Sequence, residues 1–335
     1  AIVMSAQPRL AVIPHLDPSH YQRSALHVDA CAWPEKNCYV DLFIGLVNAL
    51  GLEPRAMLAS TLSVDFEGDQ WTFYKPQHAE MRALYGIDVQ EMNCWRTLIE
   101  HAREHLAAGR LIAVESDAFW MPDTAGTDYR QNHVKTTLML NDLDEANGRL
   151  GYFHNAGYYA MEGEDFRQTF RLDAAADPTY LPLFAELVRV DRVVKRPAPE
   201  LAALARGLTR QYLGWAPAQN PFGRFAERFG QELPLMHERG LPYYHAWAFA
   251  TVRQVGATFE LAAAHLAWLD EAEGQSGRLQ AAIDNFNLIS QSSKALILKL
   301  ARAVNARRML DPDEVFGPMA TAWDDGMACA RSVLA

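Results

Sequence analysis

The periodicity of apolar residues changes once along the chain, and that change limits the folds open to it. Up to about residue 165 the pattern mixes strand and helix signals. Beyond it, alanine- and leucine-rich stretches recur at helical spacing over residues 198–213, 222–239, 243–269 and 278–308. Alanine and leucine are the strongest helix formers, so these stretches are predicted as helices. In the first part, residues 58–75 read as a hairpin around Glu67-Gly68-Asp69-Gln70. Residues 134–140 and 149–154 read as a second hairpin, joined through Asn147-Gly148, and 111–115 as a short buried strand. Residues 38–50 and 89–108 are predicted as helices that stop at Gly51 and Gly109. The expected organisation is α+β, with a domain over 1–165 and a helical domain over 166–335. Arg196-Pro197-Ala198-Pro199 marks a break between them.

Composition then removes whole classes of function. A chain of 335 residues that is 50% apolar and 21% charged has ample material for a core and is not disordered. A net charge of −10 argues against nucleic acid, whose phosphates require a basic surface. No stretch approaches the ~20 apolar residues of a membrane span. The start, Ala1-Ile2-Val3-Met4, shows no basic segment followed by a long apolar one, so a cytoplasmic location is expected. Cys31, Cys38, Cys94 and Cys329 form no CxxC pair and are expected to be free thiols. With no HExxH and no Cys/His cluster at ligand spacing, no metal is expected.

The most informative segment is Trp33-Pro34-Glu35-Lys36-Asn37-Cys38-Tyr39-Val40-Asp41. Asn37 is a favoured N-cap type, which places Cys38 in the first turn of its helix. There the helix dipole and unpaired backbone N–H groups favour a thiolate and offer an oxyanion site. A thiol nucleophile needs a base. Of the eleven histidines, His133 stands out because it immediately precedes the β run 134–140. The second strand of that hairpin ends in Gly151-Tyr152-Phe153-His154-Asn155-Ala156-Gly157. Asn155 is therefore placed to orient the His133 imidazole, while His154 faces the other side of the sheet. Helix-start Cys, strand-start His and an amide at the next strand's end follow the chain order of papain-like folds.

The stretches Asn37-Cys38-Tyr39-Val40-Asp41-Leu42, Val64-Asp65-Phe66-Glu67-Gly68-Asp69-Gln70-Trp71-Thr72-Phe73 and Pro122-Asp123-Thr124-Ala125-Gly126 resemble a bacterial family catalogued as a domain of unknown function. So do His133-Val134-Lys135-Thr136-Thr137 and Gly151 to Tyr159. More distantly, the Cys38 helix, residues 114–122 and the His133 hairpin resemble the N-terminal domain of the butirosin-biosynthesis acyltransferase. That group has a papain-like fold and moves an aminoacyl group from a carrier-protein thioester onto an amine. The resemblance implies a papain-like catalytic domain with Cys38 as nucleophile and His133 as base. The relatives carry Asp where Asn155 stands, which leaves the third member open between Asn155 and His154. A protease-type Gln is absent about six residues before Cys38, where Ala32 stands, so Asn37 is the candidate oxyanion donor.

By this resemblance the expected activity is acyl or aminoacyl transfer through a Cys38 thioester. The donor is the phosphopantetheine of a partner carrier protein, the acceptor is a small-molecule amine, and no further cofactor is required. Trp120, within Phe119-Trp120-Met121-Pro122, is expected to line the cleft. The ammonium of an aminoacyl group would need an anionic partner, for which Asp65 and above all Asp117 are candidates. Residues 103–110 or 294–308 would supply a basic patch for an acidic carrier, and the helical half a homodimer surface. Two rival readings share the residues: a cysteine peptidase or amidase, and a non-catalytic binding protein on the same fold.

Overall fold

In the computed structural model, which describes residues 7–335, β1 spans Leu10–Ala11 and α1 Val40–Ala49. The start at residues 1–4, read above for location, lies outside the described residues. A short hairpin follows, β2 (Phe66–Glu67) and β3 (Gln70–Trp71), then α2 (His78–Tyr85). Next come β4 (Asp88–Glu91), α3 (Leu98–Ala107) and β5 (Arg110–Asp117). The second hairpin is β6 (Lys135–Asp144) and β7 (Arg149–His154), extended by β8 (Gly157–Glu162) and α4 (Gly163–Thr169). After β9 (Ala185–Arg189) the chain is helical: α5 (Ala198–Trp215), α6 (Pro221–Arg239), α7 (Leu241–Ala250), α8 (Val252–Ala272), α9 (Gln280–Asn305) and α10 (Pro312–Leu334). The protein is thus α+β, with an antiparallel sheet and a helical C-terminal region. Among the described residues no helix is long and apolar enough to cross a membrane.

The chain forms two compact units that are not simple halves. The first unit takes Ala1–Ser24, Cys38–Leu52 and Met81–Lys195, and the second takes Ala25–Asn37, Glu53–Glu80 and Arg196–Ala335. The first is built on a sheet ordered β4-β9-β5-β6-β7-β8, with β1 pairing the far end of β6. Every pairing is antiparallel. One face carries Ile112, Val114, Leu138 and Leu140, which bury against Ile99 and Leu106 of α3 and Phe166 of α4. The alternate residues face α1. Gly45 lets that helix approach closely, since a Cβ there would lie 3.1 Å from the Phe153 ring.

Two local expectations fail. Residues 89–108 are not one helix: 88–91 form strand β4, paired with β9 through Val89 and Val188, and the helix begins only at Leu98. Thr97 accepts the Glu100 N–H and sets that start. Strand signals were also expected to end near residue 164, yet β9 inserts between β4 and β5.

In the second unit, helices α5–α10 bury an aromatic core that includes Phe222, Phe225, Phe229, Phe259 and Phe286. The predicted helix over 243–269 is broken at Thr251, whose φ of −124° and ψ of −80° separate α7 from α8. Trp33 and Lys36 are anchors of this unit. Lys36 Nζ, only 1% exposed, meets Glu260 Oε1 at 2.6 Å, and the same carboxylate accepts the Ala32 and Trp33 N–H groups. The Trp33 ring lies over Gly256, where a Cβ would come within 2.7 Å of it. This half of the Trp33–Asp41 motif is therefore architecture.

Candidate functional site

The site forms where β5 ends and β6 begins. Antiparallel pairing sets Glu115 opposite Thr137 and Asp117 opposite Lys135, all on the sheet face that α1 covers. His133 precedes β6, and its Nδ1 lies 2.6 Å from Asp117 Oδ2. The other carboxylate oxygen, Oδ1, accepts the Phe119 N–H at 3.0 Å, which fixes the carboxylate plane. A carboxylate can only accept, so Nδ1 carries the ring proton and Nε2 is left as the basic nitrogen. The Phe119 ring stacks on the imidazole at 4.2 Å and 8°. Trp120 packs edge-on against Phe119 at 4.7 Å and carries Arg130 on its face. The His133 side chain is 67% exposed, so the ring is open to solvent.

Cys38 meets the same sheet face one register step away. Its thiol is hydrogen-bonded to Thr137, while Lys135 and Asp41 act on it through charge. Thr137 is opposite Glu115, and Glu115 to Asp117 is two residues, about 6.8 Å along a strand. The thiol and the imidazole–carboxylate pair therefore share a face and are neighbours along it, though Cys38 and His133 are not hydrogen-bonded to each other. Adjacent to the thiol, Tyr39 reaches β9 and donates to the buried Glu186 carboxylate at 2.6 Å. Tyr39→Phe removes a hydrogen bond to a buried charged group, so it is expected to cost about 1.5–3 kcal/mol. Urea denaturation of the two proteins would read this directly, and an unchanged midpoint would contradict it.

Several expectations need correction here. Cys38 is not in the first turn of α1. The helix begins at Val40 with Tyr39 as N-cap, and Cys38 precedes both. Asn37 does not cap it, because its amide donates to the Tyr74 carbonyl at 2.9 Å within the second unit. Burial pushes the Cys38 thiol up, against a smaller lowering from Thr137, so the resting group is a thiol and not a dipole-stabilised thiolate. Asn155 is not the partner of His133. It occupies the two-residue turn between β7 and β8 at φ 46°, a left-handed conformation that Asn tolerates.

His154 is not that partner either. It is 1% exposed and faces the other side of the sheet, with Nδ1 2.5 Å from Asp123 and Nε2 2.8 Å from Thr136. Tyr152 donates to the same Asp123 carboxylate. Thr136–His154–Asp123 has the connectivity of a hydrolase triad, but all three side chains are buried, and it serves to tie β6, β7 and the 122–124 turn together. Asp117, expected as an ammonium partner, instead meets Nδ1 of His133. Asp65 belongs to the second unit, where Arg224 pairs with it and the Phe66 N–H donates to it. Arg103, in one of the two basic runs, is already held by Glu145. Among the described residues no group of three or more His, Cys, Asp or Glu side chains is placed to hold a metal ion.

Comparison with known families gives two matches that divide the chain between them. Residues 22–190 match the DUF1839 N-terminal domain, and residues 198–332 match the DUF1839 C-terminal domain. No curated protein matches the chain.

Proposed function

The chain belongs to the DUF1839 family, and for it we propose cysteine-dependent acyl transfer with Cys38 as nucleophile, His133 as base and Asp117 as the group that orients His133. The observation that carries this reading is the 2.6 Å Asp117–His133 pair, solvent-open at Nε2, on the sheet face that also receives the Cys38 thiol. An α-helix following the cysteine, packed on an antiparallel sheet with the histidine at a strand start, supports a papain-like reading of the fold. The third member comes from β5, giving the chain order Cys, Asp, His, which departs from the Cys, His, amide order expected from the sequence.

In the proposed cycle His133 Nε2 takes the Cys38 Sγ proton as the sulfur attacks the acyl carbonyl. The donor's carbon–sulfur bond breaks, and the leaving thiolate takes the proton back from His133. An amine then attacks the Cys38 thioester and passes its proton through His133 to the departing sulfur, which regenerates the thiol and releases an amide. A neutral resting thiol suits this order, because the sulfur gains charge only when the base is engaged. The distant resemblance to the butirosin acyltransferase supports a phosphopantetheine thioester on a carrier protein as donor and a small amine as acceptor. Exclusion of water decides between transfer and hydrolysis.

Intact-mass analysis after mixing the protein with an acyl-phosphopantetheine thioester tests the proposal. The expected result is one acyl adduct that maps to Cys38, is absent in Cys38→Ala, and is discharged faster by amines than by water. Discharge by water alone would make the protein an amidase or peptidase. An adduct that survives Cys38→Ala would remove the mechanism.

A further inference from the structure

A cavity of the first unit lies on the opposite sheet face from Cys38, and it has the composition of a ligand site. It encloses about 390 Å³, within the range of small-molecule pockets. Val114 of β5, Leu98 of α3, Phe170 and Leu183 give it an apolar floor continuous with the core. Its rim holds two guanidiniums. Arg96 lies over the Trp95 ring at 5.2 Å, and Arg171 over the Tyr180 ring at 3.9 Å. Neither guanidinium makes an ion pair or a side-chain hydrogen bond among the described residues.

One carboxylate, Asp177, also lines the cavity, but its oxygen accepts the Thr179 N–H and hydroxyl. Arg171 acts on that carboxylate through charge without forming an ion pair with it, so two cations and one anion line the cavity, in a chain whose net charge is −10. His101, 4% exposed, accepts the Trp95 N–H at 3.3 Å and holds that wall of the rim. The rim also concentrates exposed apolar surface: Trp95 is 79% exposed and Leu181, beside Tyr180, is 80% exposed. Exposed aromatics with stacked arginines that make no ion pair, around an apolar floor, fit a molecule that is apolar along its body and anionic at one end.

We infer that this cavity binds an organic carboxylate with an apolar body, its head between Arg96 and Arg171 and its body over Val114, Leu98 and Phe170. The inference is independent of acyl transfer, since the cavity and Cys38 lie on different faces of the sheet. The test is calorimetric titration of the full chain with decanoate, 1-decanol and decylamine. Decanoate is expected to bind one to one, with the alcohol and the amine at least about tenfold weaker. Arg171→Gln and Arg96→Gln are each expected to weaken decanoate about tenfold, the loss typical of a charge-assisted hydrogen bond. Cys38→Ser is expected to bind decanoate unchanged. Both arginines are exposed, so circular dichroism should show intact folds. Equal affinity for acid and alcohol, full binding by both arginine variants, loss of binding in Cys38→Ser, or no binding at millimolar decanoate would each overturn the assignment.

Discussion

Asp117→Asn is expected to slow acylation of Cys38 by roughly 10²–10⁴-fold, with His133→Ala in the same range. The Asp117 carboxylate accepts from Nδ1 at 2.6 Å and so leaves Nε2 as the basic nitrogen. An asparagine there can offer its N–H to Nδ1 instead, which moves the ring proton to Nε2 and removes the base. Because the Cys38 thiol is pushed up by burial, little thiolate is present at neutral pH to bypass the loss. The measurement is single-turnover acylation followed by mass, with alkylation of Cys38 at high pH as the control. At high pH the thiolate forms without His133, so both variants should then alkylate like the parent. A merely structural role for Asp117 would lower both readouts together. Equal acylation rates in parent and variants would dismiss the dyad.

The sequence carried the elements of this site further than their partnership. Cys38 before a helix and His133 before a strand are visible because apolar periodicity and breakers mark each element locally. The reading of Asn155, or else His154, as the partner of His133 failed because that partner depends on which strand lies beside β6 on the His133 side. The β5–β6 pairing is set by the whole sheet, and no local pattern announces it. Ser116-Asp117 after the 111–115 run was the available signal, since an Asp closing a strand commonly caps the turn that follows, as it does here for Phe119. Asn155 has a backbone reason to be where it is.

The failure over residues 89–108 has the same origin. Val89 falls in the predicted helix over 89–108, yet it belongs to a four-residue strand whose existence depends on β9, nearly a hundred residues later. Strand β9 is not legible in the sequence because a short strand buried between two others needs no alternation. Thr97-x-x-Glu100 is the capping pair at the true helix start. In the second unit His265 is a packing residue: buried, hydrogen-bonded to the Arg55 carbonyl at 2.7 Å, and pushed down to about 4 by desolvation.

Glu80→Gln is expected to stabilise the protein above pH 8 and leave it nearly unchanged at pH 4. The Glu80 side chain is completely buried in the second unit. Its Oε2 accepts the Gln77 N–H at 3.0 Å, and the Ser60 hydroxyl lies beside it. Desolvation outweighs both and raises the carboxyl to about 8 from an ordinary value of 4.5. The folded state therefore holds a proton that the unfolded state releases near pH 4.5. Below that pH both states are protonated, and the stability contribution is fully present. As pH rises towards 8 the unfolded chain ionises while the folded one does not, so stability falls until the folded carboxyl also ionises. The shift corresponds to roughly 4–5 kcal/mol at most. Gln has the same shape, can still accept from Gln77, and has no proton to lose, so this decline should vanish from its pH profile. Urea denaturation at pH 4.5, 6.5 and 8.5 would show the two proteins diverging with pH. Parallel profiles would mean that Glu80 is not protonated in the folded chain, and that its burial is compensated by groups other than Gln77 and Ser60.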